Sequence, residues 1–237
     1  MSSTAQLDLP LLQPAQAQKH VTVNEALARL DALAALVLAS RSIAAPPAEA
    51  EDGAAWAVPA QPTGAWEGQG GRIAIRANGG WVFVTPHCGW RAWIADEHGA
   101  AIHDGTAWRG GALALSPSGA GTFVKVREFD HALTSGTTST TAETIPANVL
   151  VMAVTARVID TLGGSLESWR LGNPGSASRF GSGLGVQTGS FARGLLSPPM
   201  AFYEATPLRL SATGGSFDGT GAVRIAIHYF EPSLPGA

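Results

Sequence analysis

The sequence predicts a mainly β protein: an N-terminal extended arm and one helix, then a small Trp-rich β module, then a C-terminal antiparallel β-sandwich of jelly-roll-like kind. Three observations carry this. Helical spacing of apolar residues occurs in one stretch only, over residues 21–40. Six of the seven tryptophans lie between Trp56 and Trp108, separated by Gly-rich turns. From Gly121 onward, longer alternating runs are punctuated by Gly, Pro, Ser and Thr at intervals of roughly 8–15 residues, the pattern of a sandwich.

Composition narrows the function. Charged residues make up 14% of the 237 positions, against about 25% in an average soluble domain. Eighteen acidic residues outweigh 15 basic ones and no Lys/Arg block occurs, which argues against a nucleic-acid partner. Cys88 is the only cysteine, so no disulfide can form within the chain. Lysine occurs only at Lys19 and Lys125, and every other basic residue is Arg, the cation better suited to interfaces. Low charge and Arg preference together point to a homo-oligomer or larger assembly. The opening stretch has no basic region and is not read as a signal peptide. The apolar run Leu33 to Ala39 is too short for a bilayer, which needs about 20 residues. No membrane insertion is therefore expected, and synthesis in the host cytoplasm is.

Residues 1–20 carry Pro10 and Pro14 beside Leu7, Leu9, Leu11 and Leu12, and have no core of their own to join. They read as an arm that docks on another protein, with those leucines, Gln16 and Gln18 as its contacts. The helix at 21–40 should start near Thr22, which has capping-box spacing to Glu25. Leu27, Leu30, Leu33 and Val37 then recur at helical spacing, a stripe for its own domain or for copies of itself. Residues 41–55 are a Pro/Ala/Glu stretch without periodicity and read as a linker. Residues 56–111 form the Trp-rich module, with a hairpin signal at Asn78-Gly79. Thr134 to Thr144 reads as a Ser/Thr-rich loop at the start of the sandwich, residues 121–237. Within the sandwich, Leu150, Met152, Val154, Ala156 and Val158 should share one face. Val223, Ile225, Ile227 and Tyr229 should do the same, with Arg224 and His228 opposite.

Catalytic signatures are sparse. No G-x-S-x-G elbow occurs, and Gly181-Ser182-Gly183-Leu184-Gly185 lacks the spacing of a phosphate loop. His87, Cys88, Asp96, His98, His103 and Asp104 lie close in sequence, but only His98 and His103 have a zinc-type spacing and Cys88 is the lone sulfur, so they read as loop residues. Asp96-Glu97 and Glu128/Asp130 read as solvated acids rather than a glycosidic pair. No catalytic residue, metal or cofactor is assigned. Trp90, Trp93, Arg224 and His228 stand as candidates for contact with a glycan or a fibre protein.

The string Gln16-Ala17-Gln18-Lys19-His20-Val21-Thr22-Val23-Asn24-Glu25-Ala26-Leu27, preceded by Leu9-Pro10, strongly resembles the start of a phage-type family long catalogued as a domain of unknown function. Pro62-Thr63-Gly64-Ala65-Trp66, Gly79-Gly80-Trp81, Pro86, Gly89-Trp90, Asp104-Gly105 and Trp108 are similar to it too. So are Thr155-Ala156-Arg157-Val158, Ser168-Trp169-Arg170-Leu171-Gly172 and Ile227-His228-Tyr229, so that the resemblance spans nearly the whole chain. The family occurs in prophages and gene transfer agents. The resemblance implies a structural virion protein, a head spike base that anchors a host-attachment fibre to the capsid. The implied partners are the major capsid protein at a vertex, the spike fibre protein and further copies of the chain, as a pentamer or trimer. The resemblance leaves open whether relatives sit on head or tail. The alternative function is a receptor-binding module for capsular polysaccharide.

Overall fold

The computed structural model describes residues 3–12 and 19–236. Contacts divide the chain into two compact units, Met1–Leu115 and Ser116–Ala237.

In the first unit, α1 (Lys19–Ala34) precedes β1 (Val37–Leu38), β2 (Ala55–Ala57), a 3-10 turn at Gly64–Trp66, β3 (Ile73–Ala77) and β4 (Gly80–Val84). β5 (Arg91–Ile94), β6 (Gly99–His103), β7 (Trp108–Gly110) and β8 (Ala112–Leu115) follow. Seven strands make one sheet in the order β4-β3-β2-β1-β5-β6-β7. The meanders β2–β4 and β5–β7 flank β1, which runs parallel to both β2 and β5. Asn78 and Gly79 both take positive φ and close a two-residue loop between Ala77 and Gly80, the primed turn that a twisted hairpin requires.

Two expectations change here. The helix ends at Ala34 rather than reaching residue 40, because Val37 and Leu38 are recruited as the central strand of the sheet. Leu38 is fully buried there, so a tertiary ladder overrides local helical spacing. Thr22 and Glu25 accordingly lie inside the helix rather than at its cap. Residues 41–55 are no linker. Ala39 donates to Ala55 O and Thr63 to Ala44 O, while Ile43, Ala50 and Ala54 pack on the tryptophan cluster.

The sheet has two covered faces. On one, Ala32, Leu33 and Leu36 pack against Leu38, Ile73, Ile75, Ala92 and Ile94. On the other, Trp56, Trp66 and Trp81 meet tilted or edge-on with centroids 5.3–6.1 Å apart, over Ala74 and Val58. The rings supply burial that so small a module could not obtain from aliphatic side chains alone.

The second unit contains β9 (Gly121–Ala132), β10 (Thr138–Ile145), β11 (Val149–Asp160), β12 (Ser168–Asn173), β13 (Ser176–Leu184), β14 (Phe191–Phe202), β15 (Thr206–Thr213) and β16 (Ala222–Pro232). Their orders are β14-β11-β16-β9 and β10-β15-β12-β13, with every pairing antiparallel. Among these eight strands the first pairs with the eighth, the eighth with the third and the third with the sixth. The second pairs with the seventh, the seventh with the fourth and the fourth with the fifth. That connectivity is a jelly roll. Its core includes Trp169, Leu171, Leu208, Leu210, Phe217 and Ile225.

The expected loop at Thr134–Thr144 is largely strand β10, whose alternating Ser139, Thr141 and Ile145 are buried. The expected single face of β11 is split. A bulge between Val151 and Ala153 shifts the phase, so that Val149 and Val151 are buried before it and Val154, Ala156 and Val158 after it, leaving Leu150 exposed. On β16, Val223, Ile225, Ile227 and Tyr229 are buried, as the alternation predicts.

Candidate functional site

The arm folds back on its own unit. Asp31, buried on α1, accepts hydrogen bonds from the Thr4 hydroxyl at 2.7 Å, the Gln6 amide at 2.9 Å and the Leu7 amide at 2.7 Å. The Thr4 amide donates to Leu9 O, and the Leu9 amide donates to the Thr4 hydroxyl oxygen, closing residues 4–9 into a loop. Two helical turns earlier on the same face, Asn24 exchanges both hydrogen bonds with the backbone of Leu12. Burial alone would raise the Asp31 carboxyl, but the Thr4 hydroxyl and the Gln6, Leu7 and Ala5 amides hold it below the ordinary carboxylate range. The expected free, extended arm is thus a clipped one, because buried Asp31 needs partners that the arm supplies, and half-buried Asn24 adds a second clip. Leu7 and Leu12 remain exposed, while Leu9 and Leu11 are half-buried. Gln16 and Gln18 lie outside the described residues.

Clipping leaves α1 with three distinct faces. Ala32 and Leu33 turn to the core, and Asn24 and Asp31 to the arm. Val23, Ala26, Leu27, Leu30 and Ala34 lie on the remainder, an apolar row that follows Lys19 at the start of the helix. Leu30 is 56% exposed. Of the four residues expected to form an oligomer stripe, Leu27 and Leu30 belong to this surface. Leu33 packs on the core, and Val37 sits in β1, whose alternation turns it to the opposite side of the sheet from Leu38. The outward face of α1 therefore runs through Val23 and Ala34 instead.

Val37 pairs in register with Trp93, which is 46% exposed. Trp90 is half-buried against the core and meets His87 edge-on at 5.5 Å. His103 is buried against Trp108, and its Nδ1 accepts from the Gly105 amide. Asp104 accepts from the Thr106 and Ala107 amides, the Thr106 hydroxyl and Arg109, and these partners outweigh burial to hold it well below its ordinary range. Asp104-Gly105 is therefore turn chemistry, with Gly105 at positive φ. Glu97 pairs with Arg41, and Asp130 with Arg224. No three His, Cys, Asp or Glu side chains among the described residues gather closely enough to hold a metal ion.

In the second unit, Arg224 and His228 lie on the outward face of β16, as alternation predicts, but both are engaged. Arg224 forks onto Asp130 at 2.7 and 2.8 Å, and His228 Nε2 lies 3.1 Å from the Thr155 hydroxyl. Sequence reasoning missed their neighbours. Register sets Arg157 opposite Arg224 on one side and Phe191 on the other, with Arg193 opposite Thr155. These residues line a shallow depression of about 430 Å³ floored by Ala226, Ala156 and Ala192. The small–large alternation of Thr155-Ala156-Arg157 and Phe191-Ala192-Arg193 carried that signal.

The architecture defines a two-unit β protein: a helix-backed, Trp-rich sheet and a jelly roll. Residues 23–109, from α1 into β7, match a family described as "Protein of unknown function (DUF2793)". No curated protein matches the chain. Among solved structures, one described as "Cyanophage Pam1 capsid asymmetric unit" is similar at 20% identity, covering 47% of this chain and 85% of that chain, with a TM-score of 0.31. No helix among the described residues is long and apolar enough to cross a membrane.

Proposed function

We propose that this chain is a structural protein of a phage-like particle, an adaptor that is itself gripped by a shell and in turn holds an attachment fibre. The observation carrying the reading is the outward face of α1. Val23, Ala26, Leu27, Leu30 and Ala34 present an apolar surface beside the exposed leucines of the clipped arm. A lone apolar side chain at a surface is ordinary, whereas five apolar side chains along one helical face call for a protein partner. The phage-type resemblance of Gln16 to Leu27, which includes Val23, Ala26 and Leu27 of this surface, supports a capsid vertex as the seat and a spike base as the finer role.

Leu30→Glu tests it. Leu30 is exposed, so the substitution should leave thermal stability within about 0.5 kcal/mol. Incorporation into purified particles, read by immunoblot, should fall to background. Normal incorporation of the variant overturns the assignment. Trp93 supports the second reading, a saccharide-binding module, since an exposed indole can stack on a sugar ring. Titration with capsular polysaccharide separates the two: the second reading requires a saturable fluorescence change that Trp93→Ala abolishes.

A further inference from the structure

We propose that the outward face of the sheet β14-β11-β16-β9 is a docking site for an extended acidic segment of a partner protein, with Arg157 and Arg193 receiving its carboxylates.

Charge is the first ground. Arg224 pairs with Asp130, with Glu128 a further 3.9 Å contact, so both acids at that corner of the depression are committed to Arg224. Arg157 and Arg193 have no acidic partner among the described residues. Arg157 spends one donor on Gly189 O at 3.3 Å and keeps the rest of its fork free. Two free guanidinium forks on one open sheet face match carboxylates, which they bind bidentately.

Spacing is the second. Arg157 pairs in register with Phe191, and Arg193 lies two residues beyond Phe191 on the same strand. The two arginines are thus diagonal neighbours, about 7–8 Å apart at their bases. In an extended chain, side chains two residues apart project from the same side about 6.6 Å apart. An acidic–apolar–acidic run laid over the sheet can therefore meet both forks at once.

The surrounding side chains favour a polypeptide over a saccharide. Phe191 is 52% exposed, but its ring is flanked by Arg157 and Arg193 at 5.8 and 5.5 Å from the centroid, which leaves little free face for a sugar. The hydroxyl and imidazole that could read sugar hydroxyls, Thr155 and His228, bond to each other. The next outward positions are apolar: Leu195, 77% exposed, on β14 and Val126 on β9. Exposed Arg, Phe and Leu around a shallow depression are the composition of a protein-binding centre. The site stands whether or not the chain is carried on a particle.

The test uses the full chain labelled with ¹⁵N and a short synthetic peptide alternating Glu and Val. Two further probes are the same peptide with Gln in place of Glu, and an oligogalacturonate. The acidic peptide should shift the amides of Thr155, Arg157, Phe191 and Arg193 saturably, while the Gln peptide does not. The double variant Arg157→Glu/Arg193→Glu, exposed at both positions, should keep its thermal midpoint and lose roughly tenfold or more in affinity. Absence of saturable shifts, binding unchanged in the double variant, or an oligogalacturonate that binds as tightly as the acidic peptide would each overturn the proposal.

Discussion

At the scale of single residues, two buried tryptophans of the same burial face opposite accounts. Trp66 and Trp169 are both fully buried. Trp169 Nε1 donates to Gly185 O at 2.9 Å, whereas Trp66 Nε1 has no acceptor among the described residues. Replacing either by Phe removes similar ring volume, and the resulting cavity terms are alike. They differ in what is left behind. Trp169→Phe loses a hydrogen bond that is made, its acceptor on exposed Gly185, while Trp66→Phe removes a buried donor that was already unsatisfied. An unsatisfied buried polar group costs about 1–3 kcal/mol. Trp169→Phe should therefore destabilise more than Trp66→Phe by about that amount, read as the difference in denaturant midpoints at constant slope. A larger loss for Trp66→Phe would mean that its N–H is satisfied after all.

At the scale of elements, the sequence was most legible where one period ran uninterrupted. β16 alternates strictly and has no bulge of its own, and Asn-Gly could mean little but a primed hairpin turn. It was least legible where polar residues did apolar work or where the phase slipped. β10 buries hydroxyls instead of methyls: Thr141 donates to the Glu143 carbonyl and accepts from the Leu208 amide, so no hydrophobic alternation announces the strand. The Gly-rich run inside β13 hid that strand altogether. The candidate sites were less legible still. Arg157 and Arg193 become neighbours only through the β11–β14 ladder, and the arm's fate depended on Asp31, an acid that looks solvated in the linear chain.

That clip makes its own prediction. Asp31→Ala removes one acceptor shared by the Thr4 hydroxyl and two amides, in the class of hydrogen bonds to a charged group worth about 1.5–3 kcal/mol. Hydrogen exchange at the Gln6 and Leu7 amides should accelerate sharply while β3 and β5 stay protected. Unchanged exchange at those amides would show that the arm is held by other contacts.

At the scale of the whole molecule, the hydrophobic clusters divide as the chain does: two lie wholly within Met1–Leu115 and one wholly within Ser116–Ala237. Each unit has the means to unfold as its own cooperative step. Six of the seven tryptophans lie in the first unit, so fluorescence follows that unit almost alone. In the second, His131 is buried with Nε2 2.8 Å from Ser139 Oγ. That oxygen already accepts from the Thr134 amide and the Thr134 hydroxyl, so its proton goes to Nε2 and fixes the ring as neutral. Burial lowers the His131 pKa below its ordinary 6.5, against a smaller opposing pull from Glu143. Below about pH 6.5 the unfolded chain takes up a proton that the folded sandwich refuses, so stability falls as pH drops through that value and is fully present above it. His131→Gln keeps a polar partner for Ser139 but cannot titrate. Calorimetry from pH 7.5 down to 5 should show the sandwich transition of the variant falling less steeply than that of the parent. The fluorescence transition of the first unit, where His103 is also buried with a lowered pKa, should keep its own acid dependence in both. If His131→Gln flattened the fluorescence transition instead, the two units would be unfolding as one.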